Sequence, residues 1–446
     1  MSQNTHSKAT AAPRGHQTEA LSNLVLIAHP ADAAIALDDL DPRTAYDHLM
    51  AVKLPRRTKI FGYLQPENQI AIARLFERNQ LAEIMSEMSS DDRADVFNNL
   101  TPQQQEALLP GLAHAEREDI RRLAKYAEGT AGSIMTSDYA TLAPTLTARE
   151  AIDVLRREAP DKETIYRAYV LDVERRLIGA VRLRDLILSA PETRVDSLME
   201  REPVTVNVAD DREDVARKIA RYDDLALPVI DGAERLVGII THDDALDALQ
   251  EEATEDFHKL GTVEKFSGSV RNASVPTLYR KRVIWLALLV FGNLFSGAGI
   301  AYFEDTISAY VALVFFLPLL IGSSGNAGAQ AATLMVRALA TGDVMIKDWG
   351  HLLGREIIVA LALGTTMALA VSLIGIFRGG TEVAVVVALT MVLVVIIGSL
   401  IGMSLPFLLH RFKLDPATAS APLVTTIADA VGVVIYFTIA TLILLR

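Results

Sequence analysis

The feature that most constrains this chain is a series of long apolar segments in its C-terminal part. Five of them cover, approximately, residues 284–303, 308–340, 351–377, 382–409 and 419–445. A helix needs about 20 apolar residues to cross the hydrocarbon core of a bilayer. Because backbone amides and carbonyls find no partners in lipid, such segments are stable there as helices packed together. We therefore expect residues 280–446 to form a five-helix domain embedded in a lipid bilayer.

One carboxylate lies deep inside the last apolar segment. Asp429 is the sole charged residue of the segment 419–445. An unpaired carboxylate at that depth costs about 3 kcal/mol, so it should face a polar cavity or bind a cation. Thr425 comes four residues earlier, on the same face of a helix. This pair predicts a lumen that passes cations.

The second apolar segment contains an unusual polar and glycine-rich stretch, from Gly322 to Gln330. Within it, Gly325 and Asn326 are candidate pore residues, because irregular or polar backbone at membrane depth is tolerated where it lines water. The alternative is a small-residue packing interface between helices. All the candidate ligands are oxygens, which suits Mg²⁺ better than softer ions. Five spans are few for an enclosed pore, so we expect the pore between two subunits of a homodimer.

Charge divides the chain into two parts. Residues 280–446 carry 10 of the 43 basic and 8 of the 55 acidic residues, so residues 1–279 carry a net charge of −14. Such an acidic soluble part repels nucleic acid and attracts cations. The absence of cysteine excludes disulfides and thiolate metal sites. The first 23 residues are polar and are expected to form a disordered tail.

The soluble part is predicted to contain two domains. Residues 24–130 show helical spacing of apolar residues, with start signals at Asp41-Pro42, Gln65-Pro66, Ser89 to Asp92 and Thr101-Pro102, and they predict an all-helical domain. Residues 131–250 hold an internal repeat. Each copy has a strand, a glycine-bearing strand and an aspartate-bearing helix, which predicts two similar α/β units. This pattern resembles a tandem CBS pair. An acidic connecting helix is expected over residues 251–279, either solvated or requiring a counter-ion.

Three stretches carry a resemblance that extends over nearly the whole chain. They are Glu252 to Gly261, Gly325 to Gln330, and Asp415 to Asp429. In this order they resemble the MgtE family of magnesium channels. The resemblance implies a helical N domain, a CBS pair, a connecting plug helix and five spans, assembled as a homodimer with Asp429 and the Thr425 backbone holding hydrated Mg²⁺.

The resemblance also implies that cytosolic Mg²⁺ closes the pore and that the CBS pair binds ATP. The regulatory Mg²⁺ ligands that it implies are Asp91, Asp95, Glu213, Asp223, Asp244, Asp247, Glu252, Glu255, Asp256 and Asp415. The nucleotide candidates are Arg184, Asp185 and Thr241. Thr241 precedes Asp244 by three residues, a spacing that suits ribose, whereas the first copy has Arg182 before Asp185.

Basic residues flank the apolar segments on one side, and the positive-inside rule then places the N-terminal domains in the cytosol and the C-terminus outside the cell (inner) membrane. Two other functions stay open: transport of Co²⁺ or Mn²⁺, and a membrane-anchored CBS sensor without transport. No nucleophile–base pair, P-loop or catalytic metal motif is present, so an enzyme is not expected.

Overall fold

The computed structural model describes residues 14–265, 270 and 273–445. They form two compact units. The first holds the described residues up to Glu252, together with Val270, and the second holds the others from Ala253 onward.

Within the described residues, the first unit begins with nine short α-helices around one apolar core. They are α1 (Arg14–Ile27), α2 (Pro30–Asp38), α3 (Pro42–Met50), α4 (Leu54–Gly62), α5 (Pro66–Ala73), α6 (Arg78–Ser86), α7 (Ser90–Asn99), α8 (Pro102–Leu108) and α9 (His114–Leu123). The four predicted start signals coincide with the beginnings of α3, α5, α7 and α8. Proline opens α3, α5 and α8, where its missing amide needs no partner. In α3, Asp41 also accepts a hydrogen bond from the Thr44 amide, 3.0 Å.

Helix α1 corrects one expectation. The tail predicted over residues 1–23 is helical from Arg14, so the prediction of disorder is wrong for residues 14–23. Leu21 and Leu24 pack on the core of the helical domain, and Val25 is buried in it. This apolar contact stabilises the helix. Residues 1–13 lie outside the described residues.

The repeat forms two α/β units, as expected. The first contains β1 (Tyr139–Leu142), α10 (Ala148–Glu158), β2 (Thr164–Leu171), β3 (Leu177–Arg182), α11 (Leu183–Leu188) and, leading out of it, α12 (Val195–Leu198). The second contains β4 (Val206–Asn207), α13 (Arg212–Tyr222), β5 (Ala226–Ile230), β6 (Leu236–Thr241) and α14 (His242–Leu260). Each makes a three-stranded sheet with one parallel and one antiparallel pair.

The two copies exchange contacts through the residues that repeat in sequence. A Cβ added at Gly179 would lie 2.6 Å from the Met199 sulfur, and one at Gly238 would lie 2.7 Å from the Met135 sulfur. Each methionine therefore packs on the glycine of the other copy. Glycine is required at both places because any side chain would displace the methionine.

The acidic helix begins earlier than predicted. Helix α14 starts at His242, directly after β6, and runs without a break to Leu260. The last helix of the second CBS copy and the predicted connecting helix are thus one helix, because no Gly or Pro interrupts residues 242–260. Of the predicted connecting segment 251–279, residues 266–269, 271 and 272 lie outside the described residues.

The second unit is a bundle of long apolar helices. They are α15 (Val275–Tyr302), the short α16 (Glu304–Ala309), α17 (Ala312–Ala340), α18 (Trp349–Arg411) and α19 (Ala421–Leu444). In the part of the chain that the structure describes, four helices are long and apolar enough to cross a membrane. Helix α18 contains two of the five predicted spans, because it reverses at Gly380, whose φ of 80° suits glycine. A Cβ at Gly375 would lie 2.8 Å from the Ala384 Cα, as expected for two halves folded back on each other.

Candidate functional site

The glycine-rich stretch of α17 is helical and packs tightly against α18 and α19. A Cβ added at Gly328 would lie 2.7 Å from the Gly398 carbonyl oxygen and 2.8 Å from the Val424 Cγ1. Ser324 donates a hydrogen bond to the Val394 carbonyl, 2.8 Å. The packing alternative therefore accounts for Gly328. Small residues let these backbones approach closely, as is common between membrane helices.

Helices α17 and α19 bring two of the predicted pore residues together. A Cβ at Gly325 would lie 3.2 Å from the Thr425 hydroxyl oxygen and 2.7 Å from its methyl carbon. Asn326 follows Gly325 on α17 and is exposed in the single chain. Asp429 lies one turn beyond Thr425 on α19.

Asp429 is incompletely satisfied. Its Oδ1 atom is buried and has no hydrogen-bond partner among the described residues. A buried carboxylate oxygen without a partner is costly, so this atom requires a ligand other than the described residues of the single chain. A cation fits this requirement, since carboxylate and hydroxyl oxygens are the donors that Mg²⁺ prefers.

A second group of acidic side chains lies in the first unit, where α7 meets the beginning of α14. Ala94 of α7 belongs to the same apolar cluster as Ala245 and Leu249 of α14, and this packing sets the two acidic helix ends close together. We call the following residues the α7–α14 acidic cluster: Asp91, Asp92, Asp95, Asp138, Glu163, Asp243, Asp244, Asp247 and Glu251.

The electrostatics of the α7–α14 acidic cluster are unfavourable. Desolvation, and then the neighbouring Asp91 carboxylate, raise the pKa of Asp244 to about 8. Desolvation and the carboxylates of Asp91, Asp92 and Glu251 raise the pKa of Asp95 to about 7. One oxygen of Asp91, Oδ1, is buried without a hydrogen-bond partner among the described residues. Raised pKa values mean that these groups resist ionisation together, and a bound cation would relieve that resistance.

Four of the predicted regulatory residues, Asp91, Asp95, Asp244 and Asp247, therefore belong to one cluster. Sequence reasoning missed two members. Asp138 accepts a hydrogen bond from the Ser90 amide, 3.2 Å, and the pKa of Glu163 is raised to about 7 by desolvation and by Asp91. Both come from the first CBS copy, and no local spacing relates them to α7. Among the described residues, no three His, Asp or Glu side chains are arranged closely enough to hold a metal ion. Any ion bound here would keep part of its water shell or shift these side chains.

Other predicted ligands of the first unit have protein partners. Glu252 forms an ion pair with Arg212, 3.2 Å, and Glu213 forms one with Arg217, 3.0 Å. Asp223 ends α13 in the left-handed conformation, with φ of 52°.

In the second unit, the predicted ligands Glu255 and Asp415 are joined through an amine. Lys259 forms ion pairs with both, and its nitrogen lies 2.7 Å from Glu255 Oε1. Lys265 contacts the other oxygen of Glu255 at 2.9 Å. Although desolvation opposes ionisation, hydrogen bonds from Lys259 and Lys265 lower the pKa of Glu255 to about 2. The remaining candidate, Asp256, lies beside Glu255 on α14.

The nucleotide candidates are placed on the two CBS copies. Arg184 and Asp185 lie in the first turn of α11, with Arg184 exposed. The buried Thr241 hydroxyl donates a short hydrogen bond to Asp244, so the predicted ribose-binding pair contacts the acidic cluster. Between the copies, Arg167 is 8% exposed and binds Asp224 at 2.6 Å and Glu200 at 2.7 Å.

The apolar helices contain an unsatisfied carboxylate and are joined in one chain to a CBS pair. Together they define the class: a membrane cation transporter with an attached CBS pair. Family profiles agree with it. One described as a divalent cation transporter matches residues 317–439, the MgtE intracellular N domain matches 28–129, and CBS domains match 131–192 and 195–251. The predicted domain types are thus confirmed.

Relatives give the family. The chain is 38% identical over 430 residues to the magnesium transporter MgtE of Thermus thermophilus, covering 96% of both chains. It is 33% identical over 418 residues to the magnesium transporter MgtE of Bacillus subtilis, covering 92% of this chain and 91% of that one. A solved cytosolic domain of the Mg²⁺ channel MgtE, in complex with ATP, superposes with a TM-score of 0.50 at 37% identity, covering 52% of this chain and 96% of that one. The chain belongs to the MgtE family, as its sequence motifs predicted. These relatives are named as transporters, in agreement with the expectation that the chain is not an enzyme.

Proposed function

We propose that this chain is a Mg²⁺ uptake channel of the cell (inner) membrane, closed by high cytosolic Mg²⁺. The observation that carries the proposal is Asp429, whose buried Oδ1 has no partner among the described residues although it lies in an apolar helix. A carboxylate is retained at such a position when it serves an ion pathway. The names of the relatives support Mg²⁺ as the cargo.

The pathway is proposed to form between the two subunits of a homodimer. Asn326 and Gln330 are four residues apart on α17 and both are exposed in the single chain, which gives α17 a polar face for a lumen. Asp429 and Thr425 would contribute oxygens from each subunit to a hydrated ion. Basic residues at the cytosolic ends of the spans support an outward C-terminus.

The gate is proposed to depend on the α7–α14 acidic cluster. Mg²⁺ would neutralise its carboxylates and favour the closed state, whereas their repulsion at low Mg²⁺ would favour the open state. This is a population shift, and its size equals the difference in Mg²⁺ affinity between the two states. Binding of ATP at the CBS pair, near Arg184, Asp185 and Thr241, is supported by the ATP complex of the relative's cytosolic domain.

The proposal is tested by Mg²⁺ flux into liposomes that contain the full chain, with low or high Mg²⁺ on the side of the N-terminal domains. Asp429→Asn removes the charge with little change in volume and should abolish flux. Asp343→Asn is a matched control, because Asp343 is an exposed residue of the connection after α17 and should leave flux intact. Flux that survives Asp429→Asn would refute the pore assignment.

The gate has its own measurement in the same liposomes. High Mg²⁺ on the side of the N-terminal domains should suppress flux of the wild-type chain, and the double variant Asp95→Asn, Asp244→Asn should need more Mg²⁺ for the same suppression. If wild-type flux ignores that Mg²⁺, the acidic cluster does not regulate the pore, whatever the outcome for Asp429.

A further inference from the structure

An ion-pair cluster in the second unit joins the end of α14 to the start of α19. The Lys259 ammonium lies between two carboxylates, 2.7 Å from Glu255 Oε1 and in direct contact with Asp415 Oδ2. Lys265 contacts Glu255 Oε2 at 2.9 Å. We call these four residues the Lys259 cluster. Both oxygens of Glu255 therefore bind amines of the same chain.

The Lys259 cluster is well placed to act on the pore helix. Asp415 also accepts a hydrogen bond from the Ala417 amide, 2.8 Å, at the turn that directly precedes α19. Leu260, next to Lys259, packs against the buried cluster formed by Val336, Ala417 and Ala419. A displacement of the end of α14 would consequently reach the first turn of α19, four to eight residues before Thr425 and Asp429.

The charges of the Lys259 cluster balance without any dissolved ion. It contains two ammonium groups and two carboxylates, with Glu255 only 19% and Lys259 27% exposed. A divalent cation needs the carboxylate oxygens for itself. Glu255 and Asp415 were expected to bind regulatory Mg²⁺. In this arrangement lysines contact both oxygens of Glu255 and Oδ2 of Asp415, and the Ala417 amide donates to Asp415 Oδ1. The α7–α14 acidic cluster differs, because its members Asp95 and Asp244 have no lysine or arginine partner among the described residues, and desolvation and then neighbouring carboxylates raise their pKa values.

We propose that Lys259 is an internal competitor for divalent cations at Glu255 and Asp415. Its ammonium holds α14 to the turn before α19 when no ion is bound, and a divalent cation binds there only by displacing it. The competition sets how much cytosolic Mg²⁺ the channel needs before it closes. This last statement rests on the proposed gating, whereas the competition itself does not.

The first test measures binding of Mn²⁺, a paramagnetic oxygen-seeking probe, to the full chain in detergent. Lys259→Met should tighten binding at one site at least tenfold, because the competing cation is gone while both carboxylates remain. Adding Asp415→Asn to Lys259→Met should remove the tightened site. Lys259→Arg retains a cation and should give the wild-type isotherm.

Two controls separate this effect from a change in overall charge or in folding. Lys281→Met removes the same charge from a lysine of similar exposure, 30%, which pairs with Glu264 at 3.6 Å instead. It should leave the Mn²⁺ isotherm unchanged. If Lys259→Met does not fold as a monodisperse protein, Lys259→Gln serves in its place. Unchanged or weakened Mn²⁺ binding in the folded Lys259 variants would overturn the proposal.

Flux then distinguishes the inference from the proposed function. The channel with Lys259→Met should close at a cytosolic Mg²⁺ concentration at least several-fold below the one that closes the wild-type channel. If Lys259→Met tightens Mn²⁺ binding but does not change the Mg²⁺ concentration at which the channel closes, Lys259 competes with divalent cations and the gating proposal fails at this position. If neither changes, the competition is refuted.

Discussion

Replacing Gly328 by alanine tests the close packing on which the membrane unit depends. The new Cβ would lie 2.7 Å from the Gly398 carbonyl oxygen and 2.8 Å from Val424 Cγ1. Ordinary van der Waals contacts begin at 3.4 Å, so α17 would have to move by about 0.7 Å from the Gly398 oxygen and about 0.6 Å from Val424. The first obstacle is backbone that cannot rotate aside. Overpacking of this kind costs about 1–3 kcal/mol. The higher helix propensity of alanine stabilises the helix by only about 0.5–1 kcal/mol, which is less than the cost of most such clashes.

Gly322→Ala is the matched control on the same helix. A Cβ at Gly322 meets nothing within 4 Å, so this variant should gain the propensity term without a clash. Thermal unfolding of the solubilised chain, followed through Trp285 and Trp349, should therefore place Gly328→Ala below the wild type and Gly322→Ala at or above it. If Gly328→Ala unfolds at the temperature of Gly322→Ala or higher, the inferred contact between α17 and α18 is wrong.

Two further predictions concern the first unit. The pKa values of Asp92, Asp95 and Asp244 are raised to about 6, about 7 and about 8, so the folded state retains protons that the unfolded state has lost. Without divalent cations, the unfolding temperature should therefore fall as pH rises from about 6 to about 8. Asp95→Asn combined with Asp244→Asn should reduce this dependence of the unfolding temperature on pH. A wild-type unfolding temperature that rises over the same pH range would contradict the prediction. Arg167→Met should cost about 3 kcal/mol, because it leaves the largely buried Asp224 without its counter-charge. Chemical denaturation measures this loss of unfolding free energy, and Arg167→Lys should lose less stability than Arg167→Met. Equal stability of Arg167→Met and the wild type would show that the ion pair does not hold the two copies together.

Local signals predicted the elements well. Proline and, in α3 and α8, a capping side chain mark where α3, α5 and α8 begin, since they act on the first turn of their own helix. The CBS repeat was visible because its glycines and methionines recur at equivalent places, and Gly179 with Met199 shows why both are needed. Asp429 stood out because a charge inside an apolar segment is costly wherever that segment packs.

Partners distant in sequence could not be predicted. Lys259 and Asp415 are 156 residues apart, and Arg212 and Glu252 are 40 apart, so no spacing rule relates them. The glycine-rich stretch gave two interpretations for the same reason. Whether Gly328 lines water or packs on Gly398 depends on the helix that faces it, which is set by the fold as a whole.

The acidic residues of this chain therefore differ in a way that net charge conceals. Glu252, Glu213 and Glu255 each bind a basic side chain of the chain itself, so their charges are neutralised before any ion arrives. In the α7–α14 acidic cluster, Glu251 alone forms an ion pair among the described residues, with Arg212 at 2.9 Å, and desolvation and neighbouring carboxylates raise the pKa values of Asp92, Asp95 and Asp244. Only uncompensated carboxylates gain much free energy from a dissolved cation, because compensated ones must first give up an existing partner. A sensor of cytosolic Mg²⁺ would accordingly respond first at α7 and the start of α14, with Lys259 setting a higher threshold at the end of the same helix.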